Sequence, residues 1–149
     1  MQSLNEAQDF LTQGYSWFAA EFSSLKETCI SHLQELGSSY YTTLSREKLE
    51  RLSQQYLTEL KKGLEQDSSS SQDLMASFQA YFEQGAQMKT LLEGLDLMLT
   101  LVAHRARQAM SNEPELYDTL MLKIRHTDVL IRSQMATAFI NFINRQNRS

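Results

Sequence analysis

The stretch "SNEPELYDTLMLKIRHTDVLIRSQMATAFINFI", residues 111–143, carries the longest helical pattern of the chain. Asn112 can cap a helix, Pro114 fits a first turn because its missing N–H has no partner there, and Glu115 completes a capping-box spacing. The pattern predicts a helix from about residue 113 to at least 143, which would be about 45 Å long. Its main apolar stripe comprises Leu116, Leu120, Ile124, Ile131, Met135, Ala138, Phe139 and Phe142.

Further apolar residues of this helix, Leu130, Ile140 and Ile143, fall on other faces. Two interpretations remain open. Either one domain buries every side of the helix, or a second copy of the chain covers part of it. We predict a homodimer. The residues expected at its interface are Ile131, Met135, Phe139, Phe142 and Ile143.

The whole chain has the composition of one helical domain, residues 1–149. One proline and five glycines are few helix breakers for this length. The net charge of −4 gives no electrostatic reason to bind nucleic acid. The longest apolar stretch, "LDLMLTLVA", is too short to span a bilayer. A single cysteine excludes an internal disulfide and favours a cytoplasmic location.

The remaining segments complete an all-α bundle of about five to six helices, of which the last two are long. The serine-rich segment 67–72 is predicted to be a flexible loop, because its side chains compete with helical hydrogen bonds. The other predicted segments are an arm or short helix over 1–12 and helices over about 15–36, 45–65, 72–84 and 85–110.

No catalytic pattern emerges from the sequence, and we predict that the chain is not an enzyme. His32, His104 and His126 are far apart in the sequence. Cys29 lies three residues before His32 but fits the apolar stripe of its helix, so two ligands at most would meet there. The chain contains neither a glycine-rich phosphate loop nor a G-x-S-x-G nucleophile motif. We predict neither a catalytic nor a metal site.

Asp96, Thr100 and His104 recur every four residues and would form a polar line beside the apolar stripe of the fifth segment. Such a line is either the edge of a helix beside water and a neighbouring helix, or the lining of a small polar pocket. The three residues are therefore weak candidates for binding a ligand. Arg105 and Arg107, which follow His104 in the sequence, are most simply charges that face solvent.

The order of segments resembles that of a known family. A tryptophan in the first long helix, Trp17, is followed by a helix start with Leu44, Ser45 and Leu49. The segment "YLTELKKGL" then precedes a polar loop, and "GAQMKTLLEGLDLML" leads into the two long helices. This pattern resembles the N-terminal sensory domain of the RsbR-type proteins of the bacterial stressosome. The resemblance covers most of the chain, from about Trp17 to Phe142.

The resemblance implies a globin-like fold without haem, a dimer, and a last helix that continues as a linker to an effector domain of STAS type. It also implies RsbS and the kinase RsbT as partners. The histidine positions give haem no proximal ligand where globins have it, because the segment 71–84 has no histidine. We therefore expect a sensory domain without a cofactor in bacterial stress signalling. The alternatives are a globin-type sensor of haem or a small ligand, and a helical adaptor or chaperone for a partner protein.

Overall fold

A computed structural model describes residues 4–37, 39–65 and 72–148 of the chain. This part of the chain contains six α-helices and no strand, which confirms the predicted all-α class. In chain order the helices are α1 (Leu4–Gln34), α2 (Ser39–Thr43), α3 (Arg46–Leu64), α4 (Gln72–Glu83), α5 (Met88–Ala109) and α6 (Pro114–Arg148). None of the six, over the described residues, combines the length and apolar character that crossing a bilayer requires.

Local chemistry sets several helix boundaries. The Ser45 side chain accepts a hydrogen bond of 3.2 Å from the backbone N–H of Lys48, which satisfies one free donor at the start of α3. Gly37, just after α1, and Gly85, just after α4, have φ values of 77° and 99°. Glycine adopts this left-handed backbone without the steric penalty that a Cβ would bring. Pro114 is the first residue of α6, as predicted from its missing N–H.

Helix α1 is continuous, so the predicted break between an N-terminal arm over 1–12 and a helix over 15–36 is wrong for the described residues. Gly14 lies inside α1 and is buried against Leu120 of α6, where a Cβ would come within 2.8 Å of Cδ1. The glycine therefore marks a close approach between two helices. Residues 67–71 of the predicted flexible loop lie outside the described part of the chain, and residue 72 already belongs to α4.

Helix α2 was not anticipated, because the stretch between Gly37 and Ser45 has the composition of a loop. Tyr41 of this short helix is fully buried, and its hydroxyl donates a 2.7 Å hydrogen bond to the carbonyl of Thr90 in α5. Gly94 gives the phenol room, since a Cβ there would collide with the Tyr41 side chain. The buried tyrosine thus joins the α1–α3 connection to α5.

The helices pack around one core to which α6 contributes along most of its length. Helices α1 and α3 run antiparallel, as shown by the Lys26–Glu50 ion pair at 3.2 Å and by Lys61 above the ring of Tyr15. Helix α6 contacts α1, α3, α4 and α5. It therefore packs against each of the other helices except the short α2 in forming the core.

Candidate functional site

The inner face of α6 supplies side chains to the core of the domain. Apart from the adjacent pair Leu120 and Met121, successive members lie three, four or seven residues apart, so they share one side of the helix. The buried apolar residues of this face are Leu116, Leu120, Met121, Ile124, Ile131, Met135 and Ala138. One face of α6 is thereby occupied within the chain itself.

The opposite face of α6 carries a second apolar row, which we call the outer stripe and define as Leu122, Val129, Ala136, Ile140 and Ile143. All five are exposed, Leu122 by 75% and Val129 by 62%. Each residue turns the helix by about 100°, so Leu122 and Ile131, nine positions apart, point in roughly opposite directions. One helix thus presents apolar residues to the core and to solvent at once.

A buried polar network crosses the inner face. The hydroxyl of Tyr56, on α3, donates a 2.7 Å hydrogen bond to Oδ1 of Asp128 on α6. Nε of Arg132, one turn further along α6, donates to Oδ2 of the same carboxylate at 2.8 Å. Nη2 of Arg132 also lies 2.6 Å from Oδ1 of Asp96 on α5. Tyr56 and Asp128 are buried, whereas the side chain of Asp96 is 64% exposed. Three helices are therefore tied together by Asp128 and Arg132 of α6.

The charges of this network reinforce one another. Burial, together with the charge and hydrogen bond of Asp128, raises the pKa of Tyr56 well above its ordinary value, so the phenol stays a donor. Burial acts to lower the pKa of Arg132, but its bonds to Asp96 and Asp128 outweigh this and raise that pKa. Arg132 therefore remains charged and is shared between one buried and one exposed carboxylate.

The polar line predicted on α5 is the solvent edge of that helix. Thr100 and His104 are exposed, and Asp96 is the one member that pairs with another helix. The periodicity placed the three residues on one side correctly. Periodicity could not indicate that Asp96 pairs with Arg132, because the partner lies 36 residues further along the chain.

The structure divides the five residues predicted for the dimer interface. Ile131 and Met135 are buried within their own chain, so they offer no surface to a second copy. Phe139 and Phe142 are half-buried against Phe82 of α4, with ring centroids 5.1 and 6.1 Å away. Ile143 alone of the five is exposed. Two of the five predicted residues therefore belong to the core of their own chain, because the more continuous apolar stripe of α6 packs against the other helices.

The histidines and the cysteine do not converge. His32, His104 and His126 are exposed on three different helices, and Cys29 is fully buried on α1. Burial raises the pKa of the Cys29 thiol to about 12. Among the residues that the structure describes, His, Cys, Asp and Glu side chains form no group of three or more that could hold a metal ion. A narrow apolar crevice, which has no room for a water molecule, is lined by Leu52, Gln55, Tyr56, Leu74, Phe78, Leu95 and Ile131.

Arg105 is not a free surface charge. Its guanidinium donates hydrogen bonds of 2.9 Å to the Ser24 hydroxyl and 2.8 Å to the Thr28 hydroxyl, both on α1, and lies 3.5 Å from Glu21. Arg107 lies above the ring of Tyr117 on α6. These contacts fasten α5 to α1 and α6, a structural role that the sequence did not indicate.

Comparison with known proteins finds no match among protein-family models, curated proteins or solved structures. The proposed function therefore rests on the geometry of α6.

Proposed function

We propose that this chain is a non-catalytic sensory or regulatory domain that acts as a homodimer and passes a signal through α6 to a downstream domain. The observation that carries the proposal is the double character of α6. Its inner face is part of the core, and its outer stripe is exposed along the same helix. A change in core packing can therefore reach the outer stripe through a single rigid element.

The network around Asp128 supplies a physical route for this transfer. Tyr56 of α3 and Asp96 of α5 both bind α6, through Asp128 and Arg132 respectively. A ligand or partner that shifts α3 or α5 would change the position of α6 relative to the core. Such a shift occurs only if the ligand or partner binds one arrangement more tightly than the other.

The biological setting follows the resemblance of the segments to RsbR-type sensory domains. On that basis the fold is globin-like and lacks haem, the protein is cytoplasmic, and α6 leads to a STAS-type or other effector. RsbS and the kinase RsbT would be partners of the full protein in stress signalling. The all-helical fold with two long final helices agrees with this assignment at the level of fold class.

The test is the mass of the protein in solution. Sedimentation should give twice the mass of one chain at micromolar concentration. Val129→Glu should weaken the dimer by about 30-fold or more, because a central interface residue contributes about 2 kcal/mol. Leu4→Glu is the matched control, since Leu4 is 88% exposed but lies on α1, away from the outer stripe. A monomer at all concentrations would contradict the dimer. The outer stripe would then be expected to bind a different protein, as in the alternative function of an adaptor.

A further inference from the structure

The outer stripe has the spacing of a two-stranded coiled coil. In a coiled coil, the core positions of each heptad are called a and d. The d positions would be Leu122, Val129, Ala136 and Ile143, and the a positions would be His126, Ser133, Ile140 and Asn147. All eight residues are exposed in the chain. From residue 122 to residue 147 the row covers more than three heptads, or about 38 Å of helix. We infer that two copies pair their α6 helices in parallel and in register along this row, an inference that rests on the proposed dimer.

The composition of the layers favours the parallel order. In a parallel, in-register pair each residue meets its own copy, so the five apolar residues of the row all face apolar residues and His126, Ser133 and Asn147 face polar ones. An antiparallel pair that overlaps over the same residues keeps Val129 opposite Ile140, but it places Leu122 opposite Asn147 and Ile143 opposite His126. An amide packed on an apolar side chain loses hydrogen bonds to water without replacement. Asparagine facing asparagine instead fixes the register of a parallel pair.

The charges beside the stripe agree with the same order. Asp118 and Lys123 lie on opposite flanks of the row and five residues apart. A parallel pair brings Asp118 of one copy beside the partner's Lys123, and Arg125 beside the partner's Leu130. The antiparallel pair would place Lys123 beside the partner's Asn144, where no attraction between charges arises.

Arg132 is the remaining cation on this flank, and the network compensates its charge. Asp96 and Asp128 both hold its guanidinium within 2.8 Å. The charge of Arg132 is therefore neutralised within its own chain and does not repel the helix of the second copy. The two α6 helices would then deliver their C-terminal ends side by side, which places two output domains next to each other.

Disulfide trapping distinguishes the two orders. Leu122→Cys should form a disulfide-linked dimer under mild oxidation about 100-fold faster than Leu4→Cys, because the two thiols share a millimolar effective concentration within the pair. A mixture of His126→Cys and Ile143→Cys should not form the mixed disulfide. In the parallel pair these positions are 17 residues apart along the helix, or about 25 Å, and a disulfide needs Cα atoms within about 7 Å. Because the native Cys29 is buried, it should contribute little to the formation of disulfide-linked dimers.

Three other results of the trapping and mass measurements would each contradict the parallel pairing, the contact along α6 or the dimer itself. Rapid mixed disulfides between positions 126 and 143, with a slow reaction at position 122, would show an antiparallel dimer and leave the proposed function standing. A dimeric mass with slow reaction at all three positions would place the contact on another surface. A monomeric mass would overturn the proposed dimer and this inference together.

Discussion

At the scale of single residues, Asp128 shows how a buried charge is tolerated. Its two oxygens are each held by a donor, the Tyr56 hydroxyl and the Arg132 guanidinium. A buried carboxylate without such partners would lose several kcal/mol of hydration. The sequence contained a signal for this site, because Asp128 lies between Ile124 and Ile131 on the inner stripe. Its partner on α3 could not be read from the sequence, since 72 residues separate them.

Asp128→Asn should destabilise the fold far more than Asp96→Asn, although both remove a carboxylate from Arg132. Asp128 is buried, and breaking a buried pair costs about 3 kcal/mol. Asp96 is mostly exposed, where an ion pair contributes less than about 1 kcal/mol after screening by water and salt. Urea unfolding at pH 7 measures both free energies of unfolding. Equal losses for the two variants would contradict the assigned roles.

At the scale of helices, two glycines inside long helices mark where helices approach closely. Gly63 of α3 lies against Thr127 of α6, where a Cβ would collide with the threonine side chain. At Gly14 of α1, a Cβ would come too close only to Cδ1 at the end of the Leu120 side chain, which can rotate away, and would make ordinary contact with its Cβ and Cγ. A glycine costs about 1 kcal/mol of helix propensity relative to alanine. The sequence could place both glycines in helical segments but could not show which of them a neighbour requires.

Gly63→Ala should therefore destabilise the protein, whereas Gly14→Ala should be neutral or stabilise it by up to about 1 kcal/mol. Thermal unfolding of the two variants tests the contrast. Adding Thr127→Ala to Gly63→Ala should recover part of the loss, because it removes the colliding Oγ1 and Cγ2 atoms. If Gly63→Ala is as stable as the unaltered protein, α3 and α6 are not held as closely as the structure shows.

At the scale of the whole molecule, packing of the helices sets how the fold responds to alkali. Burial raises the pKa of Cys29 from 9.0 to about 12 and that of Tyr81 from 10.0 to about 12. Both groups therefore hold their protons more tightly in the folded state than in the unfolded state. Their contribution to stability is complete below pH 9 and is lost as the pH rises towards 12.

The free energy of unfolding should fall steadily between pH 9 and pH 11, as measured from urea midpoints. Cys29→Ala removes one of the linked protons, and the thiol has the lowest unfolded-state pKa of the groups concerned, so the decline between pH 9 and pH 10 should be shallower. The comparison uses each variant's own value at pH 8 as reference, because alanine also leaves a small void. A flat profile to pH 11 would contradict the burial of these groups.

The sequence by itself determined the helical class, the positions of five of the helices and the apolar side of each, because these follow from spacing within one segment. It also showed that α6 is apolar on more than one side. Only the tertiary structure decided which side enters the core, that α1 continues through Gly14, and that Asp96, Asp128 and Tyr56 meet around Arg132. These outcomes depend on contacts between distant segments. Periodicity within a helix does not specify such contacts, and here they leave the outer stripe exposed.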